Sequence, residues 1–533
     1  MLFMSTAEIL KEVDVLVCGG GVSGCAAAVA AARADASVLL VERNGFLGGI
    51  ASTSMISNIY NHYVAKDGRI VMRGIGTELA DRLVKRNAGT PHWKFPDGRL
   101  VHDPEQLKLV FNEMMEEAGV EVLLNSLAVE PVAEDGAIRG VHVDTAMGRR
   151  MIRAGVVIDT TGECDLAWAA KAPVRQAAGL ATLTFKMGNV DMERLYLHFK
   201  AHPETFPAGI DAMKDFHEFE DVWLNRGVLY FPHSGGEDWD LFQNAIARGE
   251  FQKEKGNIFG MDSACIIGMK GHNTAVINSQ FWRIVSIDPE IVAPAEMEAH
   301  EACFYVADFM IANIPGFENA YIAQISDEIA IRVSRGIIGE ETFDKDEKTV
   351  RGRIESDDAV ANGTDIEYRI LRDVAADPRY VKSAQQQEGN IRTDDVIACR
   401  PAQKNFKLTG EFVSNYTVDI PFGVMLPLGV ENLLVASGKS VSCVPQTMLR
   451  YQSAGMALGQ AAGAAGALAA RKGIAVRKLD IRELQKELLR QDVYLGDGER
   501  LMELGLAGEE DQGAQETQNS RKAQGVGGSR NEG

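Results

Sequence analysis

The chain has 533 residues, with 55 Lys and Arg against 75 Asp and Glu, a formal net charge of −20. That length allows two to four domains, and 46% hydrophobic residues can fill a large core, which excludes a wholly disordered chain. The acidic balance repels phosphate backbones and anionic lipid, so neither nucleic acid nor a membrane is an expected partner.

From the N-terminus, Val13–Cys18 is a short β-branched run that flows into Gly19-Gly20-Gly21-Val22-Ser23-Gly24 and an alanine-rich stretch to Ala34. This reads as strand, tight turn, helix, and the apolar run Ser37–Glu42 completes a βαβ unit. Pro104–Ala118 carries Leu107, Val110, Phe111, Met114 and Met115 at helical spacing. Leu127–Ile152 alternates between turn residues at Glu134-Asp135-Gly136 and Ala146-Met147-Gly148, which predicts a three-stranded antiparallel meander. Val156–Asp159 is expected as a separate buried parallel strand.

The middle of the chain is less regular and rich in proline and aromatic residues. It predicts helices over about Pro294–Ile314 and Asn319–Gly336. Asn432–Gly438 reads as a late strand and turn, and Ala454–Lys472 as an Ala/Gly helix packed closely on a sheet. Beyond Leu506 the composition cannot offset ordering entropy, so 508–533 is expected to be a disordered tail. The fold class is α/β: a Rossmann-like domain, with a parallel sheet and an antiparallel meander, plus an inserted α+β cap. The expected division is 1–171 for the first part of the nucleotide domain, 172–415 for the cap and 416–507 for the return.

Seven cysteines without a C-x-x-C spacing suit a reduced set. Met1–Lys11 lacks an export pattern, and Ala454–Ala470 has too few large apolar side chains to span a bilayer. A cytoplasmic location is expected.

The chemistry is carried by Gly19-x-Gly21-x-x-Gly24, set between strand and helix, with Glu42 ending the second strand. Gly19 permits the turn, Gly21 lets a pyrophosphate approach the backbone, and Gly24 lets helix and strand close. The amides of Val22 and Ser23 open the helix toward the phosphates, and Glu42 is placed to accept from ribose hydroxyls. Arg43, Gly48 and Gly49 follow at once, and nicotinamide domains do not usually continue with a second glycine pair.

At these residues the sequence resembles the FAD-dependent oxidoreductases of the glutathione reductase structural group. More narrowly, it is similar to the family in which E-R-x-x-x-L-G-G follows the second strand. The likeness runs on through Gly74–Leu79, Asp103–Glu105, Ile158–Asp165, Arg332–Arg335, Asn432–Ala436 and Ala457–Gly463. It implies FAD, adenine contacts from the backbone of Ala128 and Val129, closure over the cofactor by Thr161, Gly162 and Asp165, and Gly438 near the pyrophosphate; the FAD is expected to be noncovalent, since no residue marks an attachment site. It further implies that Gly455 and Met456 lie at the start of a helix whose amides hold negative charge on a reduced flavin. The chain departs from the family pattern at Ser437-Gly438-Lys439, at Ser453-Ala454-Gly455 and at Gly336.

Candidate catalytic groups are Arg332 and Arg335, three apart on the expected helix, for an anionic substrate; the alternative is a structural tie to acids such as Glu328. His62, between Tyr60 and Tyr63, is the candidate acid or base. His198 and His202 have no third ligand at useful spacing, so no metal is expected. The function expected is hydride transfer between FAD and a small polar or anionic molecule; the alternative is a redox-neutral isomerase or an electron-transfer subunit. A second copy of the chain or a redox partner protein is the macromolecular partner this reading admits.

Overall fold

The structure, a computed structural model, describes residues 8–59, 69–90, 100–176, 179–206, 215–231, 239–344 except 264, 280 and 285, 349–351, 392–401 and 417–507 except 445, 447 and 448. The expected tail 508–533 and the candidate His62 lie outside the described residues.

The first elements are β1 (Glu8–Cys18), α1 (Val22–Arg33), β2 (Val38–Val41), β3 (Asn58–Ile59), α2 (Ile75–Lys85), β4 (Leu100–Val101), α3 (Pro104–Ala118) and β5 (Glu121–Leu123). The meander follows as β6 (Leu127–Glu134), β7 (Ala137–Thr145) and β8 (Gly148–Asp159), then α4 (Asp165–Ala169). Asp103 starts α3 by accepting from the amides of Glu105 and Gln106 at 2.8 and 3.1 Å, and left-handed Gly119 ends it. The five apolar residues named above are its buried face.

The main sheet runs β5-β2-β1-β8-β7-β6, with the late strand β24 (Leu433–Val435) also on β8. Its β5–β2–β1–β8 pairs and the β24–β8 pair are parallel, while β6–β7 and β7–β8 are antiparallel. β8 serves both halves. Its first residues close the meander on β7, and Val157–Asp159 pair with β24 instead. The separate strand expected at Val156–Asp159 is therefore the far end of the meander's third strand, because pairing with β1 carries the strand on through Gly155 without a turn. β1 is also longer than expected: Glu8–Glu12 are exposed and pair along Arg150–Arg153.

The middle of the chain forms β9 (Val174–Gln176), β10 (Gly179–Thr182), β11 (Phe185–Gly188), α5 (Met192–Ala201), α6 (Phe216–Arg226), β12 (Val228–Phe231) and α7 (Asp240–Ala247). It continues with β13 (Ile258–Phe259), β14 (Cys265–Met269), β15 (Thr274–Asn278), β16 (Phe281–Ile284), α8 (Pro289–Asn313), β17 (Tyr321–Ile325), β18 (Ala330–Ile331) and β19 (Arg335–Ile337). Two antiparallel sheets, β12-β14-β15-β11-β17 and β13-β16-β10-β18, share an aromatic-rich core with these helices. α8 starts five residues earlier than expected, because Asp288 caps it and Pro289 suits its first position. The expected helix over Asn319–Gly336 is absent. Tyr321–Ile325 instead pairs with β11, and β18 and β19 pair with β10 and β9, so strand partners outweigh the local helical spacing.

The chain then returns through β20 (Glu341–Asp344), β21 (Thr349–Arg351), β22 (Val396–Pro401), β23 (Thr417–Pro421), β24 (Leu433–Val435), β25 (Cys443–Val444), α9 (Gln452–Lys472), α10 (Ile481–Arg490) and α11 (Gly498–Glu503). Val396–Cys399, Val418 and Ile420 join the core of the first sheet, whereas the second core draws on Val101 and residues from Ala181 to Ile329. Strand alternation sends Val15 and Val17 toward α1 and α9, and Leu16 and Cys18 to the other face.

α1 and α9 lie nearly backbone to backbone. A Cβ placed on Gly459 would stand 2.0 Å from the Ser23 carbonyl oxygen, and one on Gly463 2.0 Å from that of Ala27. Contacts that advance four residues on both helices together make the pair parallel, so their N-termini share one end.

Candidate functional site

The register brings Cys18 level with Val41 and Asp159, and Asp159 level with Val435. Four loops therefore meet at the C-terminal edge of the parallel strands, the place where open α/β sheets bind ligands. Gly19 has φ +110°, and a Cβ there would stand 2.4 Å from the Thr160 carbonyl oxygen; one on Gly24 would stand 1.8 Å from that of Gly19. Gly21 is different. Its added Cβ would meet only Gly49 Cα at 3.8 Å, so this one glycine faces open space. The second pair folds onto the turn: the Gly48 amide donates to the Gly20 carbonyl at 2.8 Å, and Gly49 lies against Gly21.

Val22 and Ser23 open α1 beside that space. Neither α1 nor α9 has a side-chain cap or an acidic residue in its first turn. Two parallel helices thus present amides without intrahelical partners, and positive ends, at the same edge. Gly438 permits the meeting of α9 with the turn after β24, since a Cβ on it would stand 2.1 Å from the Leu449 carbonyl oxygen. Gly455 lies in the first turn of α9, where an added Cβ would stand 2.6 Å from Ser23 Oγ, and Met456 is buried behind it. The open position and the two uncapped helix ends fit a dinucleotide pyrophosphate.

Glu42 is 5% exposed and braces this turn. Its carboxylate accepts from the Gly20 amide at 2.5 Å and from both the amide and side chain of Asn44 at 2.8 Å. Of roughly four acceptor positions, one remains for a ribose hydroxyl. The start of β6 is tied to it, because the Ser126 amide donates to the Glu42 carbonyl at 3.0 Å, which brings half-buried Ala128 and Val129 to this side. Arg43 pairs with Glu328 of the cap, which also accepts from Thr53 Oγ1 at 3.1 Å.

Behind Thr161 and Gly162 the structure shows a residue the sequence reading passed over. Asp159 is fully buried and accepts from the Thr161 amide and hydroxyl and from the Leu166 and Ala167 amides, at 2.7 to 3.1 Å. It pins the loop and starts α4. Burial, with a smaller push from Asp165, raises its carboxyl to about 6 against these bonds. Asp165 pairs with Arg335, whose guanidinium also lies 5.2 Å from the Trp168 ring centroid.

Arg332 and Arg335 are not on one helix. Arg332 follows β18, with its amide donating to the Leu180 carbonyl at 2.9 Å, while Arg335 opens β19. Lys439, at the departure from the family pattern, bonds Glu163 and reaches the Ile331 carbonyl at 3.1 Å. Further contacts of the cap onto the same loops come from Thr184 to the Ser54 carbonyl, the Asp327 amide to the Thr53 carbonyl at 2.9 Å, and Asn58 to the Tyr230 hydroxyl at 3.3 Å.

A second group that sequence reasoning missed is Ser57, His102 and Gln452. Ser57 and His102 face each other across β3–β4, each 2% exposed, and Gln452 Nε2 donates to the Ile56 carbonyl at 3.5 Å. Ser57 Oγ, both His102 ring nitrogens and Gln452 Oε1 have no hydrogen-bond partner of good geometry. Burial pushes His102 down to about 4. No sequence signal joins positions 57, 102 and 452.

All seven cysteines are buried and none is in a disulfide, and burial holds the Cys18, Cys25 and Cys399 thiols well above their ordinary range. Among the described residues no cluster suits a metal ion, and no helix is long and apolar enough to cross a membrane.

A family model described as FAD dependent oxidoreductase matches residues 14–488. Digeranylgeranylglycerophospholipid reductase 2 of Methanopyrus kandleri is 29% identical over 206 residues, 37% of this chain and 50% of that protein. The digeranylgeranylglycerophospholipid reductase of Methanoculleus marisnigri is 28% identical over 213 residues, 37% of this chain and 51% of that one. The chain thus spans about half the length of these relatives. A solved geranylgeranyl bacteriochlorophyll reductase-like protein of Thermoplasma acidophilum aligns over 91% of this chain and 88% of its own at 12% identity, with a TM-score of 0.38. Matched to one model from Asp14 to Leu488, the chain belongs to the FAD dependent oxidoreductase family, and it is an enzyme with FAD as its cofactor.

Proposed function

We propose that the enzyme transfers a hydride between FAD and a small polar or anionic organic molecule held between the FAD-binding edge and the cap. When bound, FAD supplies the two-electron acceptor or donor. The chain's own residues bind and orient it: Gly19 to Gly24 and the two helix ends at the phosphates, Glu42 at the ribose, and the Asp159-braced loop beside them. The single order of glycine turn, meander and late strand supports a place in the glutathione reductase structural group.

The observation that carries this reading is the cover over the edge. Glu328, Thr184, Asp327, Tyr230, Ile331 and Arg335 of the cap all contact loops that adjoin the glycine turn. A lid of that kind excludes water and encloses a substrate. An electron-transfer subunit gains nothing from it. Arg332 and His62 stand as candidates for contact with the substrate, and Arg335 as a positioning residue that acts through Asp165. A second copy of the chain or a redox partner protein fits the same reading as the route by which the flavin is reoxidised.

The test is an anaerobic screen of small acids, amines and sugars against the yellow holoenzyme. Bleaching of the flavin by one class, with stoichiometric product, is the expected result. A flavoprotein that no small molecule bleaches, but that exchanges electrons with a protein partner, would overturn the proposal.

A further inference from the structure

The β9–β19 ribbon joins the cap to the FAD domain, and its register sets Arg175 opposite Gly336. Val174 and Ile337, the next pair along, turn into the core behind the main sheet. Arg175 and Gly336 therefore face the other way, onto the loop that runs from Gly438 to α9. The Gln446 side chain lies on Gly336 there, so close that an added Cβ would stand 1.9 Å from Gln446 Nε2. That amide is held in place, donating to the Lys439 and Val441 carbonyls at 2.7 and 3.1 Å.

Both terminal nitrogens of Arg175 are buried in this corner without a hydrogen-bond partner, and the residue makes no ion pair among the described residues. Ser334, just before β19 in the chain, is 6% exposed, and its hydroxyl also lacks a partner. The neighbouring cations are committed: Arg335 to Asp165 and Lys439 to Glu163. A guanidinium keeps its charge at any physiological pH, so burial cannot neutralise it, and an unpaired buried charge costs several kcal/mol. Burial indeed lowers its pKa, with no carboxylate to oppose it. A fold that holds four N–H donors in this state is arranged for an acceptor that comes from outside.

We infer that Arg175 is the anion-binding subsite of the substrate, taking a carboxylate or phosphate group in the fork of its guanidinium. The inference rests on the proposed function and deepens it, because it makes the substrate an anion and gives it Arg175, rather than Arg332, as its anchor. Both oxyanions match the planar fork, which Lys cannot reproduce.

The experiment uses the full-length holoenzyme and its Arg175→Met and Arg175→Lys variants, titrated with malonate and with inorganic phosphate, chloride holding the ionic strength constant. Melting temperature and flavin absorption are read together. In the wild type, one anion is expected to raise the melting temperature saturably; malonate alone assigns a carboxylate and phosphate alone a phosphoryl group. In Arg175→Met the anion-free protein should melt at the same temperature or higher, while the apparent Kd for that anion rises about tenfold or more, with Arg175→Lys between. A wild type that responds to neither anion, equal responses in wild type and Arg175→Met, or a lower anion-free melting temperature in Arg175→Met would each overturn the inference. Flavin content of the same samples separates the two levels: wild-type protein without FAD sinks the wider reading, whereas an FAD-loaded wild type indifferent to both anions sinks only this one.

Discussion

In the proposed site, Gly21 and Glu42 serve the cofactor by different physics. A valine at Gly21 would fill the open space at the phosphates, so Gly21→Val should be purified nearly free of flavin while the fold persists. Glu42→Ala removes a ribose acceptor and also strands the Gly20 and Asn44 donors, which costs on the order of 1.5 to 3 kcal/mol for bonds to a charged group. It should bind FAD about tenfold or more weakly and melt lower. Heat-released flavin per chain and the melting curve check both, and full occupancy of both variants would show the cofactor to be elsewhere. His102 gives a pH signature. Its pKa falls from 6.5 to about 4 on burial, so between those values only the unfolded chain takes up the proton. The stability it contributes is complete above pH 6.5 and is lost as pH falls through 4, at most about 3 kcal/mol. Asp159, raised to about 6, acts oppositely, losing stability as pH rises from about 4 through 6. The measurement is therefore a comparison: urea midpoints of wild type and His102→Asn at pH 7.5 and 5, the variant expected to lose less on acidification. Parallel losses would remove His102 from the account.

Among the elements, α1 and α9 carry the site between them, and the glycines along α9 divide into two kinds. Gly459 is in the seam, where a methyl group would press on the Ser23 carbonyl, so Gly459→Ala should cost about 1 to 3 kcal/mol by separating the helices. Gly466 faces the side chains of Ile158 and Val156 at 3.4 Å, and Gly466→Ala should be near neutral or stabilise by about 0.4 to 1 kcal/mol through lower unfolded-chain entropy. Urea midpoints rank the two, and Gly459→Ala should also lose flavin, because the seam sets the distance between the two helix ends. On paper the glycines look alike. The sequence showed an Ala/Gly helix made for close packing, but the partner helix and the spacing of its contacts are properties of the folded pair. The meander and α3 were legible for a related reason: Leu107, Val110, Phe111, Met114 and Met115 repeat at a local period, and local periods survive folding.

At the scale of the whole molecule, the cap is held over the FAD edge by the Arg335–Asp165 and Lys439–Glu163 pairs, whose cations are 11% and 17% exposed. Asp165 is half exposed, so solvent screening reduces what its pair contributes, and Arg335→Ala should cost about 1 to 2 kcal/mol. Its melting temperature should fall and its flavin become easier to displace, while activity per folded, flavin-loaded molecule changes little. A large loss of turnover at unchanged melting temperature would return Arg335 to the substrate. The sequence by itself determined the glycine-turn half of the fold, because the turn Gly19–Gly24, the paired Gly48 and Gly49, and Glu42 act through backbone freedom, helix ends and short-range alternation, which neighbours in the chain already specify. Only the tertiary structure decided where Arg332 and Arg335 lie, that buried Arg175 has no counter-charge among the described residues, and that Ser57, His102 and Gln452 meet. Strand pairing with β9, β10 and β11 overrode a three-residue spacing that suits a helix equally well, and the burial that makes Arg175, His102 and Asp159 chemically unusual is produced by segments hundreds of residues apart in the chain.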